Sequence, residues 1–226
     1  MEQITVVISG FGPYEGAEVN PAHEVPEILA REGLEEPDVA SDIDLDDVRV
    51  SIHAVPLPIS FTKAWPTLLS TIEQTHPHVV IATGLKRAAR GMLLERCATN
   101  LMDADRPDAD NVLPDREPID PQGPAAYWTG LPLRSIIGEF TKRDIPASLS
   151  SDAGTYVCNS LFYRLQHWAT GQDRVLAGFV NFPTVTNSAH SQHGLSLRQQ
   201  VAAGRSIIRQ SIRYYLQPAS SDLLRP

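Results

Sequence analysis

The stretch Ile4-Thr5-Val6-Val7-Ile8-Ser9-Gly10-Phe11-Gly12 is an apolar run that ends in a glycine-rich turn. Residues 3–9 do not alternate between polar and apolar side chains, which predicts a strand buried on both faces of a sheet. Asn20-Pro21 then predicts a helix start, with Asn as the N-cap and Pro at the first position. The opening of the chain therefore indicates a strand, a turn and a helix.

Strand and helix patterns alternate along the rest of the chain. Further strands are predicted at about 48–55, 78–83, 92–100, 147–150 and 175–182. Helices are predicted at about 60–75 and 133–143, from the segment 153–159 to about 167, and from 196 onward. This alternation predicts an α/β fold: a mostly parallel twisted sheet with helices on both faces, an α/β/α sandwich. We expect a single domain over residues 1–217 and a loose C-terminal tail at 218–226. Sites in such sheets lie at the carboxyl ends of strands, so the turn at 10–16, the loop after Gly84 and residues 181–183 should meet at one edge.

Composition excludes several classes of function. The chain of 226 residues carries 27 acidic and 19 basic residues, a formal net charge of −8, and no Lys or Arg stripe, so we expect no nucleic-acid partner. No stretch reaches the roughly 18 apolar residues of a membrane span, and the N-terminus resembles a first strand more than a signal peptide. The two cysteines, Cys97 and Cys158, form no disulfide scaffold. Two free thiols fit a reducing cytoplasm, which is the localisation we expect.

Cys158 is the residue best suited to chemistry. It lies where Gly154-Thr155-Tyr156-Val157 leads into a predicted helix. Unpaired N–H groups at a helix N-terminus stabilise anions, so this position predicts a lowered thiol pKa and donors for an oxyanion. The alternative is that Cys158 is an apolar filler of the core.

Five ordered segments make the chain resemble pyroglutamyl-peptidase I, also called pyrrolidone carboxyl peptidase, a family of cysteine peptidases. The segments are Gly10–Tyr14 with Val19–Pro21, Leu94-Glu95-Arg96 followed by Ala98 and Asn100, Gly123–Pro132, Ala153–Asn159 and Gly178–Pro183. The resemblance implies removal of N-terminal pyroglutamate from peptides by a Cys, a His and an acidic residue, with no metal or cofactor. It also implies a homo-oligomer, either a dimer or a tetramer.

The resemblance assigns the catalytic positions residue by residue. Cys158 matches the nucleophile and Glu95 the acidic residue, although Glu95 could instead be a surface charge on an edge strand. The family reads Gly-Phe-x-His-x-Pro where this chain has Gly178 to Pro183, so Asn181 stands at the position of the catalytic His. An amide takes no proton near neutral pH, which predicts weak or absent hydrolysis. His190 or His193 could fold back to supply a base, or both could be solvated loop residues.

The resemblance also implies a pocket for a flat, neutral lactam ring, which needs apolar faces and a few hydrogen bonds. The matching substrate-binding positions are Phe11, Tyr14, Asn20, Tyr156 and Val157. Phe11 could alternatively be core packing, and Asn20 could be the helix cap alone.

Charged residues near the site differ from the family pattern. An Arg of the family aligns with Asp105, or with Arg106 after a shift of one residue, and Lys86 and Arg87 replace small residues. Lys86 or Arg87 could compensate electrostatically or face solvent. Three functions stay open: a working pyroglutamyl peptidase with an altered base, an impaired homologue that binds a pyroglutamyl-like ligand, and a hydrolase of another small amide.

Overall fold

The computed structural model describes residues 2–12, 19–35, 48–186 and 194–217. β1 (Glu2–Phe11) is buried from Ile4 onward and lies between β2 (Val48–Leu57) and β3 (Val79–Leu85), parallel to both. β8 (Leu176–Phe182) pairs in parallel with the other side of β3. Because β1 and β3 have helices against both faces, their apolar runs show no alternation, as predicted.

The other end of the sheet reverses direction once. β4 (Met92–Glu95) is antiparallel to β8, and β7 (Ala147–Ser150) is parallel to β4, giving the order β2-β1-β3-β8-β4-β7. The strand predicted at 92–100 is in fact two strands. β5 (Cys97–Thr99) leaves the main sheet and pairs antiparallel with β6 (Ala126–Trp128).

Helices cover both faces of the sheet, so the predicted sandwich is confirmed. α1 (Pro21–Glu32), α3 (Leu133–Lys142) and α5 (Leu197–Leu216) pack against one face and share one hydrophobic core. α2 (Ala64–Thr75) and α4 (Val157–Thr170) pack against the other face and share a second core. None of the helices in the described ranges is long and apolar enough to cross a lipid bilayer.

Local signals set two helix starts where the sequence predicts them. The Asn20 side chain accepts a hydrogen bond from the Ala22 N–H, and Pro21 is the first residue of α1. Ser196 caps α5 in a reciprocal capping box with Gln199. The predicted tail at 218–226 lies outside the described residues.

Candidate active site

The carboxyl ends of β1, β3 and β8 open onto a pocket of about 280 Å³. Phe11, Leu85 and Asn181 reach it from these three strands, as predicted, and α4 contributes Cys158. Its apolar and aromatic lining residues are Phe11, Ile59, Leu85, Ala153, Tyr156 and Val157. A small, largely apolar pocket of this kind suits a compact, uncharged group.

The Cys158 thiol and the Asn181 amide are neighbours because Gly84 has no side chain. A Cβ on Gly84 would lie 3.1 Å from Cys158 Sγ and 2.8 Å from Asn181 Oδ1. Gly84 and Asn181 are partners in the ladder between β3 and β8. The residue at the predicted His position therefore lies beside the predicted nucleophile.

Behind Asn181 lies a buried carboxylate. Asn181 Nδ2 donates a hydrogen bond of 2.7 Å to Glu95 Oε1. Glu95 is fully buried at the end of β4, which lies between β8 and β7, so the alternative of a surface charge on an edge strand is wrong. Glu95 Oε2 has no hydrogen-bond partner among the described residues. The Asn181 amide thus bonds to the carboxylate through its nitrogen, while its oxygen lies, like the Cys158 thiol, against Gly84.

The prediction of a lowered thiol pKa is wrong. Cys158 lies at the expected junction of loop and helix, where it is the second residue of α4, and it is half-buried. Desolvation by burial raises the pKa of its thiol from the ordinary 9.0 to about 12; the positive charge of Lys86 lowers this pKa and the charge of Glu95 raises it. Desolvation outweighs the two effects that lower the thiol pKa, the charge of Lys86 and a backbone hydrogen bond at Cys158, so the thiol is protonated at neutral pH.

Tyr156 forms a rigid wall of the pocket. Its hydroxyl donates to the Pro107 carbonyl at 2.9 Å, and its ring meets Phe61 edge-on with centroids 5.2 Å apart. The guanidinium carbon of Arg106 lies 5.2 Å from the Tyr156 ring centroid. Burial raises the pKa of the Tyr156 phenol. The contacts on both sides hold the ring beside Cys158.

A sequence model of the family described as pyroglutamyl peptidase matches residues 4–214. The chain belongs to the pyroglutamyl peptidase family. It is 35% identical over 189 residues to the pyrrolidone-carboxylate peptidase of Brevibacillus brevis, a match that covers 83% of this chain and 82% of that protein. It is 38% identical over 179 residues to that of Bacillus licheniformis, covering 79% and 77%.

Solved structures of the family share the fold. The crystal structure of Bacillus amyloliquefaciens pyroglutamyl peptidase I superposes with a TM-score of 0.81 at 31% identity and covers 94% of this chain and 98% of that one. A mutant pyrrolidone carboxyl peptidase from P. furiosus gives a TM-score of 0.77 at 27% identity, covering 93% and 99%. The predicted family is confirmed, and by this resemblance the chain is a cysteine-type omega peptidase.

Within this pyroglutamyl peptidase fold, Asn20 lines the pocket but bonds only to nearby backbone. Its Nδ2 donates to the carbonyls of Phe11 and Gly12, both at 2.9 Å, and its Oδ1 accepts from the Ala22 N–H at 3.1 Å. The helix-cap interpretation is correct, and the same side chain fixes the turn after β1. Contact of Asn20 with substrate stays a prediction, and Tyr14 lies outside the described residues.

The long segment 103–123 reaches the pocket with Arg106 and not with Asp105. Asp108 organises the segment, because its carboxylate accepts hydrogen bonds from the N–H groups of Phe61, Asp110 and Val112. Asp105 is exposed. Arg106 lines the pocket and Asp105 does not, which agrees with the shift of one residue, although the charge of Asp105 still acts on the Tyr156 phenol.

None of the histidines in the described ranges lines the pocket. His78 Nδ1 accepts from the Thr5 N–H at the start of β3, the edge of the sheet remote from the site. His167 Nδ1 lies 2.7 Å from the Tyr127 hydroxyl near the end of α4. His190 and His193 lie outside the described residues, so their use as a base stays a prediction. The described residues also contain no group of three or more side chains able to hold a metal ion.

Asn159 is a positioning residue that the sequence analysis missed. Its carboxamide accepts from the Thr99 N–H at 3.0 Å and donates to the carbonyls of Thr99 and Leu101 at 2.9 and 3.0 Å. These bonds tie the first turn of α4, which carries Cys158, to β5. Ile59 also lines the pocket and is not among the predicted site residues, although its place just after β2 is a signal that the sequence contains.

Proposed function

We propose that this pyroglutamyl peptidase homologue binds peptides with an N-terminal pyroglutamate at Cys158 and hydrolyses them slowly. The observation that carries the proposal is the Asn181 amide, which bonds to the buried Glu95 carboxylate and lies, like the Cys158 thiol, against Gly84. In this place an imidazole would connect nucleophile and carboxylate. The Asn181 amide occupies the same place, but it does not take up or release a proton near neutral pH.

The walls of the pocket support binding of the ring. Phe11 and Val157 are almost fully buried around the pocket, and the Tyr156 ring is held from both sides. A five-membered lactam is flat and uncharged, so apolar faces of this kind can enclose it with little desolvation cost.

The chemistry needs two proton movements that Asn181 does not provide. Cys158 Sγ must lose its proton before it bonds to the pyroglutamyl carbonyl carbon, and the amine must gain one as the C–N bond breaks. With a pKa of about 12, roughly one thiol in 10⁵ is ionised at pH 7. N–H groups at the start of α4 can still stabilise the oxyanion, which keeps a residual rate. Water then hydrolyses the thioester and releases pyroglutamate.

The decisive experiment is Asn181→His, assayed by release of the chromophore from a pyroglutamyl anilide. A base hydrogen-bonded to Glu95 should raise turnover by at least about 100-fold over wild type. Asn181→Gln is the matched control, since it retains an amide, and Cys158→Ala in the Asn181→His background should abolish the gain. Equal turnover of wild type and Asn181→His would overturn the role given to Asn181, and wild-type turnover at least about 100-fold above that of Cys158→Ala and unchanged by Asn181→His would overturn the proposed slow hydrolysis.

Binding is tested separately from turnover. Titration calorimetry of the Cys158→Ala protein with pyroglutamyl-alanine amide should show saturable binding. The matching prolyl-alanine amide, which has a charged ring nitrogen and lacks the lactam carbonyl, should bind at least about tenfold more weakly. Equal affinity for the two peptides would overturn pyroglutamyl recognition.

A further inference from the structure

The pocket carries positive charge that a neutral lactam ring does not require. Lys86, Arg87 and Arg106 are among its lining residues, and no Asp or Glu lines it within the described part of the chain. The chain as a whole is acidic, with 19 Lys and Arg against 27 Asp and Glu. The three cationic side chains therefore give the pocket a positively charged lining in a protein whose net charge is negative.

Lys86 is the cation with the best-defined place. It follows β3 directly, and its backbone N–H donates to the Phe182 carbonyl at 2.9 Å, which fixes it beside β8. Its Nζ donates to the Asp152 carbonyl at 3.2 Å, an acceptor without a formal charge. Its charge also acts on the Cys158 thiol, whose pKa it lowers. The ammonium group is thus held near the reacting sulfur.

Arg106 adds a second positive charge from the segment 103–123. Its guanidinium lies over the Tyr156 ring, and Tyr156 is anchored by its hydroxyl to Pro107. The Tyr156 ring and the Arg106 guanidinium are therefore in contact, so the apolar wall of the pocket and a positive charge lie side by side. A ligand whose ring contacts Tyr156 brings its attached groups close to these cations.

We propose that the pocket selects pyroglutamyl peptides that carry a carboxylate close to the scissile bond, with Lys86 as the specificity-determining residue that pairs with it. The inference rests on the proposed function, because the ring must first occupy the apolar part. Two sources supply such a carboxylate: an acidic side chain on the second residue, or the free α-carboxylate of a dipeptide. Either one forms a charge-assisted hydrogen bond with an ammonium group.

Two pairs of peptides distinguish the sources by calorimetry on the Cys158→Ala protein. Pyroglutamyl-glutamate amide against pyroglutamyl-glutamine amide tests the side chain, and free pyroglutamyl-alanine against its amide tests the α-carboxylate. In at least one pair, the charged peptide should bind about tenfold more tightly at low salt. This ratio should shrink in about 0.5 M salt, because salt screens partly exposed charges.

Lys86→Met should reduce the charged-to-neutral ratio to about one, and a urea unfolding curve compared with that of wild type shows that the variant is folded. Lys86→Arg should retain the preference. Arg90→Met is the matched control, because Arg90 is an exposed cation of the same loop that does not line the pocket.

Equal affinities in both pairs, unchanged by Lys86→Met, would overturn the carboxylate preference and leave pyroglutamyl binding intact. A preference that survives Lys86→Met would remove Lys86 from the proposal and so overturn it. Failure of all four peptides to bind would instead show that the proposed function itself is wrong.

Discussion

Two buried asparagines line the same pocket and have different roles. Asn20 uses both its amide N–H groups and its carbonyl oxygen on backbone atoms at most 9 positions away. Asn181 donates to Glu95, 86 positions away, and its oxygen lies beside the Cys158 thiol. An amide whose partners are all nearby backbone atoms stabilises local structure. We expect the amide that bonds to a buried carboxylate on a distant strand to occupy the position of a catalytic group.

Each asparagine has a closely packed glycine beside it. A Cβ on Gly10, near Asn20, would lie 1.5 Å from the Ala22 carbonyl oxygen, which belongs to rigid backbone. A Cβ on Gly84, near Asn181, would meet side chains only. The region around Asn20 therefore tolerates no added volume, and the region around Asn181 tolerates some.

The largest effect is expected for Gly10→Ala, because β1 and α1 must separate to admit the methyl group. We expect the free energy of unfolding to fall by about 4 kcal/mol or more. Gly84→Ala is the matched comparison: its Cβ would lie 2.8 Å from Asn181 Oδ1 and 3.0 Å from the Phe179 ring, so a loss of about 2 kcal/mol is expected. Urea unfolding of both variants measures the difference, and equal losses would contradict the contrast between the two regions.

Next in size is Asn181→Asp, which replaces the donor to Glu95 by a second carboxylate. Two buried like charges should cost about 3 kcal/mol at pH 7. Burial and repulsion by Glu95 raise the folded-state pKa of the introduced carboxyl group above its unfolded value, so stability is lost as pH rises and regained as it falls toward pH 5. Unfolding at pH 7 and pH 5 relative to wild type tests this, and a loss independent of pH would rule out the coupled carboxylates.

Asn20→Asp makes the same chemical change in the other region. The carboxylate can still cap α1, but the two hydrogen bonds to the carbonyls of Phe11 and Gly12 are lost. We expect a cost of about 2 kcal/mol at pH 7, less than for Asn181→Asp. The same urea titration compares the two, and the reverse order would contradict the separation of structural and catalytic positions.

The smallest effect concerns the Cys158 thiol. Its folded-state pKa of about 12 lies above the ordinary 9.0, so its contribution to stability is fully present below pH 9.0 and is lost as pH rises through 12. Between pH 8 and pH 10, wild type should lose about 1 kcal/mol relative to Cys158→Ser, which does not titrate there. Unfolding free energies of both proteins at the two pH values give the comparison; a constant difference would mean that burial does not perturb the thiol.

Strands and helix caps that depend on neighbouring residues could be predicted from the sequence. The unbroken apolar run of β1, the cap at Asn20 and the capping box at Ser196 depend on residues a few positions apart, and all three are in the structure. The family could also be identified from the sequence, because five ordered segments, including the one around Cys158, rarely match by chance.

The electrostatics of the site depend on contacts between distant parts of the chain and could not be predicted from the sequence. The pKa of Cys158 depends on burial between elements distant in sequence, so its place at a helix N-terminus predicted the wrong direction. Burial of Glu95, the division of 92–100 into two strands and the choice of Arg106 over Asp105 also depend on long-range packing. The local sequence identifies the side chains that could take part in chemistry. Their pKa values depend on desolvation and on the distance to charged partners, and both are set only when the chain folds.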